Sequence, residues 1–178
     1  MNNNNQAGFT LVELLITVSI AGIIFAMAVP SFRAIFLNNK TVAYANDFKT
    51  ALYQAQNEAI TRNIRVAIQA KTTANNLWED GWNIFEDSNE NNSYDSASET
   101  LIQTYTPEAT NHSLKSSYSS FYTDIAFNAQ GEPVTSTGTS SSGEFRLCGP
   151  DNDTNKSRTI KVSFSGNITV SEGTSTCP

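Results

Sequence analysis

The sequence predicts an α+β protein in which one long, kinked N-terminal α-helix packs on a head made mostly of antiparallel β-sheet. Three observations lead to this prediction. An uncharged apolar run lies near the N-terminus, an amphipathic helical pattern follows it, and short alternating runs separated by turn signals fill the rest. The length of 178 residues suits one ordinary domain with its own core.

Composition argues against several classes of function. The chain has 17 acidic and 11 basic residues, and this net charge of −6 disfavours binding to nucleic acid or to an anionic membrane surface. Two cysteines are too few for a disulfide-rich scaffold or a four-cysteine zinc site, and one histidine, His112, excludes a site that needs two. The sequence shows no nucleophile–base pair, metal-ligand cluster or phosphate loop, so we expect neither an enzyme nor a cofactor.

The N-terminus divides into a polar leader and a long apolar run. Residues 1–8 are uncharged and polar, and no charged residue occurs between Leu14 and Phe32. A run of this length can span a bilayer. A secretory signal peptide would have a basic n-region, which is missing here, and no small-residue cleavage site stands out beyond Pro30. The run is therefore not typical of a secretory signal peptide, and an ordinary transmembrane anchor stays possible.

Glu13 is the unusual residue of this run. A carboxylate in an apolar helix costs about 2.5–3.5 kcal/mol on insertion scales, so it needs a partner. Cleavage between Gly8 and Phe9 would create an α-amine one helical turn before Glu13, and this amine would neutralise the carboxylate within a chain or between neighbours. A glutamate that reaches water at the membrane surface is the alternative, and the residues alone do not separate the two.

Residues 8–14, Gly-Phe-Thr-Leu-Val-Glu-Leu, resemble the class III signal of type IV pilins and type II secretion pseudopilins. The resemblance implies that a prepilin peptidase cuts after Gly8, that Phe9 becomes the methylated N-terminus, and that Glu13 docks the subunit into a growing filament. Pro30 stands where the first helix of the family often kinks. The family's leader usually carries Lys or Arg before the glycine, and this leader carries neither, which weakens the basis for its retention in the cytoplasm.

The first helix should run from about Thr10 to Asn63. Beyond Pro30 its pattern becomes amphipathic, with apolar residues at three- and four-residue steps from Phe48 to Ile60. We expect a kink at Pro30 because proline removes one backbone hydrogen bond.

The head should contain short strands joined by turns. Candidate strands lie at residues 66–70, 78–85, 101–102, 121–127, 145–147, 160–164 and 168–170. Gly166-Asn167, between two alternating runs, suits a tight hairpin. Trp78 and Trp82 belong either to a binding surface or to the core of a twisted hairpin, and we prefer the core.

Head motifs resemble those of the FimT/FimU–GspH branch of the same family. They are the segment from Leu52 to Ile60, the Trp-x-x-Gly-Trp-x-x-Phe segment from Trp78 to Phe85, Phe127 with Gly131, and the strand from Arg158 to Val162 followed by Gly166. The resemblance implies three parts: a leader peptide over 1–8, a transmembrane or filament-core half-helix over 9–35, and a globular head over 36–178 that includes the rest of the helix.

The function implied by this resemblance is that of a minor type IV pilin. It would prime assembly at or near the pilus tip and support twitching motility, adhesion or DNA uptake. A GspH-like minor pseudopilin of type II secretion is the alternative. Expected partners are prepilin peptidase, other minor and major pilins or pseudopilins, and the inner membrane, with the head in the periplasm. After assembly the chain would lie in a pilus fibre on the cell surface or in a periplasmic pseudopilus.

A DNA receptor for natural transformation is a third hypothesis, because some FimT-like relatives bind DNA. The resemblance would then predict an arginine-bearing tail after Gly166. Residues 167–170 contain no base, and residues 141–178 hold four acids and four bases. Phosphate binding needs positive charge, so we expect no direct binding of nucleic acid.

The segment from Glu79 to Glu99 holds seven acids and no bases. Four of its residues fall at positions 1, 3, 5 and 9 of a calcium-loop spacing, namely Asp87, Asn89, Asn91 and Asp95. Asn92 stands where the loop needs glycine, and Ser98 stands where it needs glutamate. We therefore prefer a solvated, mobile acidic loop to a calcium site.

Cys148 and Cys177 enclose the last strands. In a secreted chain such a pair is typical of one disulfide, which would tether the C-terminus and contribute about 3–4 kcal/mol in the chain-entropy model. Free buried thiols are the alternative. Nothing in the sequence places His112 near either sulfur, and its Ser-rich surroundings predict that it is exposed.

Overall fold

The computed structural model describes residues 9–73, 76–106, 111–174 and 176–177, without the side chains of residues 30, 31, 33 and 34. It divides into two compact units between Leu37 and Asn38. One helix, α1 (Leu11–Arg62), contributes residues to both units and has the extent that the sequence predicts. The helix continues through Pro30, and the kink at this residue stays a prediction.

The second unit contains two β-sheets and a short 3-10 helix. The strands are β1 (Val66–Thr72), β2 (Leu77–Glu86), β3 (Leu101–Tyr105), β4 (Ser113–Ser116), β5 (Asp124–Phe127), β6 (Pro133–Val134), β7 (Gly143–Cys148), β8 (Arg158–Val162) and β9 (Ile168–Glu172), and the 3-10 helix is Ser119–Phe121. The first sheet has the order β3-β2-β1-β5-β6, and the second has the order β4-β7-β8-β9. All the described strand pairs are antiparallel, which confirms the predicted fold class.

The second part of α1 packs an apolar stripe against both sheets. Its buried residues recur at three- and four-residue steps and are Thr41, Tyr44, Ala45, Phe48, Ala51, Leu52, Ala55 and Ala59. The ring of Phe48 lies edge-on to Trp82 of β2, with 4.9 Å between centroids, and to Phe145 of β7, at 4.8 Å. Trp78 and Trp82 are fully buried, which confirms their place in the core.

Gln56 joins α1 to one turn of each sheet. Its Nε2 atom donates to the carbonyl oxygen of Gly131, in the β5–β6 turn, and to that of Gly166, in the β8–β9 turn, both at 2.8 Å. Gly166 has a φ of +77°, and a Cβ built on it would lie 2.1 Å from the Gly131 oxygen and 2.3 Å from Gln56 Nε2. Only glycine fits at position 166 while these contacts persist.

Side chains beside β2 also connect the two sheets through the edge strand β4. The amide of Asn76 accepts from the backbone N–H of Ser116 at 2.9 Å and donates to its carbonyl at 2.7 Å. The carboxylate of Glu79 accepts from the N–H of Leu114 at 3.2 Å. These polar side chains therefore replace the strand that would otherwise pair with this edge.

The predicted hairpin at Gly166-Asn167 is confirmed, because the N–H of Ser163 donates to the carbonyl of Asn167 at 3.0 Å and β8 pairs with β9. Two predicted strands are too long. Phe121 belongs to the 3-10 helix, where its ring is buried without strand pairing, and β8 ends at Val162 and leaves Phe164 exposed in the turn.

Strands β4 and β6 were not predicted. Their sequences, Ser-Leu-Lys-Ser and Pro-Val, are too short and too poor in alternating apolar residues to give a periodic signal.

The prediction that His112 is exposed was wrong. The residue is only 6% exposed, because α1 covers it. Its Nε2 lies 3.0 Å from Oγ1 of Thr41, and its ring meets the ring of Tyr44 edge-on, with 6.0 Å between centroids. Burial lowers the pKa of His112, the charge of Lys40 lowers it further, and Asp151 acts in the opposite direction.

We expect Gly166→Ala to destabilise the head by more than about 2 kcal/mol, because alanine would meet the left-handed backbone cost of about 1–2 kcal/mol and a clash with the Gly131 carbonyl. Gly138→Ala is the matched control, since Gly138 has a φ of +76° and open space around its Cβ position. Urea unfolding of the mature protein, followed by circular dichroism, measures both losses. Equal losses would contradict the close approach of the two turns.

His112 should make the head less stable in weak acid. Its pKa is lower in the folded chain than in the unfolded chain, so the unfolded state takes up the proton first as pH falls. The contribution of neutral His112 to the free energy of unfolding is fully present above the unfolded pKa of about 6.5 and is lost as the pH falls below it. The loss between about pH 7.5 and 5.5 should be smaller in His112→Gln, in which the carboxylates still titrate. An identical loss in wild type and variant would exclude His112 as the cause.

Candidate assembly surface

The first unit contains an apolar helical segment that is exposed among the residues the structure describes. The segment Leu11–Val29 is long and apolar enough to span a membrane, and none of it is buried. Large apolar side chains such as Phe25 and Met27 are 67% and 76% exposed. A helix that is apolar on all sides requires a bilayer or a surrounding assembly, because water would disfavour such a large exposed apolar surface.

Glu13 caps the start of α1 together with Thr10. Its Oε2 accepts from the backbone N–H of Thr10 at 3.1 Å and from the Thr10 hydroxyl at 3.2 Å. In return, Oγ1 of Thr10 accepts from the N–H of Glu13 at 3.2 Å. This is a capping box, and it satisfies N–H groups that a helix start otherwise leaves without partners.

This capping box was not predicted, although its Thr-x-x-Glu signature precedes an apolar run. The pairing of Glu13 with the amine of Phe9, which depends on cleavage, stays a prediction. Gly8 lies outside the described residues. The cap places one exposed carboxylate at the N-terminal end of an apolar helix. A carboxylate in this position can accept charge-assisted hydrogen bonds from a cationic group.

The acidic loop after β2 is anchored through a buried ion pair. Asp87 is fully buried, and its Oδ2 lies 2.8 Å from Nε of Arg65. The same guanidinium donates through Nη2 to the side chain of Asn92 and, at 2.8 Å, to the carbonyl of Thr135. Burial raises the pKa of Asp87, and the charge of Arg65 opposes this effect. The expectation of a solvated loop was therefore wrong for Asp87, Asn92 and Glu99, all of which are buried.

The oxygens of the four calcium-candidate residues accept hydrogen bonds from the loop itself. Asp87 accepts from the N–H groups of Asn91 and Asn92 at 3.1 and 3.2 Å. Asn89 accepts from Asn91 at 3.1 Å, Asn91 accepts from Ser93 at 2.7 Å, and Asp95 accepts from Ala97 at 2.9 Å. Asp95 also accepts from the hydroxyl of Ser98 at 2.8 Å, and the bonds from Ala97 and Ser98 together lower its pKa. In the described part of the chain no three His, Cys, Asp or Glu residues group around a metal position, and the preference against a calcium site stays a prediction.

The disulfide between Cys148 and Cys177 is present, with 5.8 Å between the Cα atoms. It connects the end of β7 to the C-terminal segment. Additional bonds hold this segment, because the N–H of Thr174 donates to the carbonyl of Thr154 at 3.0 Å and Arg146 donates to the hydroxyl of Thr176 at 2.7 Å. The alternative of free thiols is therefore excluded.

The candidate site residues belong to both units. Phe9 precedes α1 and Glu13 lies in its first turn, whereas the acidic loop and the disulfide belong to the second unit. The roles of Gln56 and Arg65 in organising the head were not predicted, because their partners are distant in the chain and no local pattern marks them.

Comparison with known proteins gives two family matches. Residues 44–166 match the family described as type II transport protein GspH. Residues 3–29 match the prokaryotic N-terminal methylation motif. None of the curated proteins compared with the chain matches it.

Two solved structures share the fold. Both are crystal structures of the type IV minor pilin FimU from Pseudomonas aeruginosa strain PAO1, in different space groups. The first is 20% identical, with a TM-score of 0.61 over 79% of this chain and 96% of that chain. The second is 19% identical, with a TM-score of 0.58 over 76% of this chain and 98% of that chain.

Proposed function

The chain belongs to the GspH family of the type IV pilin and pseudopilin superfamily, and on this basis we propose that it is a minor type IV pilin. The observation that carries the proposal is a methylation motif that leads directly into an uncovered apolar helix. Such a helix has two compatible environments, the inner membrane before assembly and the core of a filament afterwards. The known members of this family are structural proteins.

In this proposal, prepilin peptidase removes residues 1–8 by cutting after Gly8, and Phe9 becomes the methylated N-terminus. Residues 9–35 then anchor the subunit in the inner membrane, with the head of residues 36–178 in the periplasm. Other minor and major pilins are the partners in the filament. The role in this proposal is to prime assembly at or near the pilus tip; the likeness of the fold to that of a type IV minor pilin supports the assignment as a minor pilin.

Glu13 supplies the docking interaction. Its carboxylate is fixed by the capping box at the N-terminal end of the apolar segment, where the N-terminal amine of a neighbouring subunit would approach. Opposite charges attract more strongly in an apolar filament core than in water, because the effective dielectric constant is lower there. The interaction therefore favours correct axial placement of each subunit over sliding along the apolar surface.

A minor pseudopilin of type II secretion is the second candidate. The observation that favours it is the match of residues 44–166 to a family described as a type II transport protein. The same helix, docking carboxylate and head would act in a periplasmic pseudopilus, so the two candidates differ in their partners rather than in their chemistry.

We expect Glu13→Gln to leave leader cleavage intact and to lower recovery of the subunit in sheared filaments by about tenfold or more. A tenfold loss corresponds to about 1.4 kcal/mol of docking free energy. Glutamine keeps the capping box and removes the charge. Thr10→Ala is the matched control, because it removes the hydroxyl of the cap and keeps the charge. Immunoblots of sheared filaments measure recovery, and Gly8→Ala marks the size of the uncleaved form. Equal recovery of Glu13→Gln and wild type would refute the docking role.

Deletion of the chain should abolish or strongly reduce surface pili and twitching, and it should leave type II secretion unchanged. Piliation, secreted enzyme activity and transformation are scored in the same strain, with restoration by the wild-type chain as the control. Lost secretion with normal piliation would contradict the pilus assignment and support the pseudopilin. Normal results in all three assays would contradict both candidates.

A further inference from the structure

The outer face of the second sheet carries an elongated groove. Two adjoining clefts of about 360 and 430 Å³ share Glu144 of β7 and Lys161 of β8 as lining residues. Tyr118 and Phe164 line the first cleft, together with Thr169 of β9, and Ser171 and Glu172 of β9 line the second. This face is opposite the core, because Phe145, which alternates with Glu144 along β7, is buried.

Both rings that line the first cleft are exposed on a fixed backbone. Tyr118 is 50% exposed, and Ser116 Oγ accepts from its N–H at 3.2 Å and donates to its carbonyl at 2.9 Å. Phe164 is 61% exposed and lies in the β8–β9 turn, which the bond from Ser163 to Asn167 closes. Aromatic residues on a fixed backbone suit a binding site, because their rings offer a large contact area and only two side-chain dihedrals remain to be ordered on binding.

The charges in the groove compensate one another. Glu144 Oε1 accepts from Nε and Nη2 of Arg146 at 3.2 and 2.9 Å, and Lys161 Nζ lies 3.7 Å from its Oε2. Glu172, in the second cleft, lies 3.4 Å from Arg158. A strongly charged ligand therefore finds no complementary field, whereas a neutral ligand with many hydroxyl groups finds fixed acceptors and donors.

We propose that this groove binds a neutral oligosaccharide. A pyranose ring has an apolar C–H face that stacks on an aromatic ring and a polar edge of hydroxyl groups. The rings of Tyr118 and Phe164 match that face, and Glu144, Lys161 and the hydroxyls of Thr169 and Ser171 in β9 match that edge. The two adjoining clefts accommodate more than one sugar ring, and their volumes lie in the range of small-molecule sites. The proposal is independent of the filament role.

The test uses the mature full-length chain in an amine-oxide detergent, because detergents with sugar headgroups would compete for the groove. Maltotetraose, cellotetraose and chitotetraose are titrated by isothermal calorimetry. At least one should bind with a dissociation constant of about 1 mM or lower. Phe164→Ala should weaken that binding about tenfold, which corresponds to the loss of one aromatic stacking contact.

Tyr122→Ala is the matched control. Tyr122 is 47% exposed, much like Tyr118, and it does not line either cleft. This variant should bind as wild type does, and circular dichroism verifies that both variants are folded. The proposal is wrong if none of the three saccharides binds, or if the two variants behave alike. Binding of another pilin subunit that Phe164→Ala abolishes, with no saccharide bound, would also overturn it and identify a protein interface.

Discussion

The attachment of α1 to two sheets at once is the constraint on which the head depends. The two sheets share no strand in the described part of the chain, so side chains must hold them together. Phe48 does so through ring contacts with both sheets, and Gln56 does so with two hydrogen bonds to backbone carbonyls. Because Gln56 bonds to Gly131 and Gly166 together, the two turns reach their places only when both sheets are docked. The head should therefore fold as one cooperative unit.

One helix serves two environments because its sequence changes character along its length. Leu11–Val29 is apolar on every side, whereas the later part buries only the stripe that includes Phe48 and Leu52. The same backbone hydrogen bonding satisfies both parts, so only the side chains need to differ. The carboxylate of Glu13 is compatible with the apolar part because it lies at the helix start, where free N–H groups and the helix dipole stabilise an anion.

Local patterns predicted the features that depend on local physics. Helical periodicity gave the extent of α1, and alternating apolar residues with a glycine turn gave the β8–β9 hairpin. The burial of His112 and the ion pair between Arg65 and Asp87 were not predicted, because each depends on residues distant in the chain. At the assembly surface, the charge of Glu13 in an apolar run marks the residue in the sequence, whereas its cap with Thr10 rests on a short Thr-x-x-Glu pattern that the class III signal overlaps.

The anchoring of β9 has a mechanical consequence. β9 lies at the edge of the second sheet, and an edge strand that is pulled at a free end separates from its neighbour one hydrogen bond at a time. Here neither end is free. The Gly166 turn holds the start of β9, and the disulfide from Cys177 to Cys148 holds the segment that follows it. Tension applied at the C-terminal segment passes through the disulfide to Cys148 of β7, so the bonds between β8 and β9 lie outside the loaded path and β9 is not peeled from the edge of the sheet.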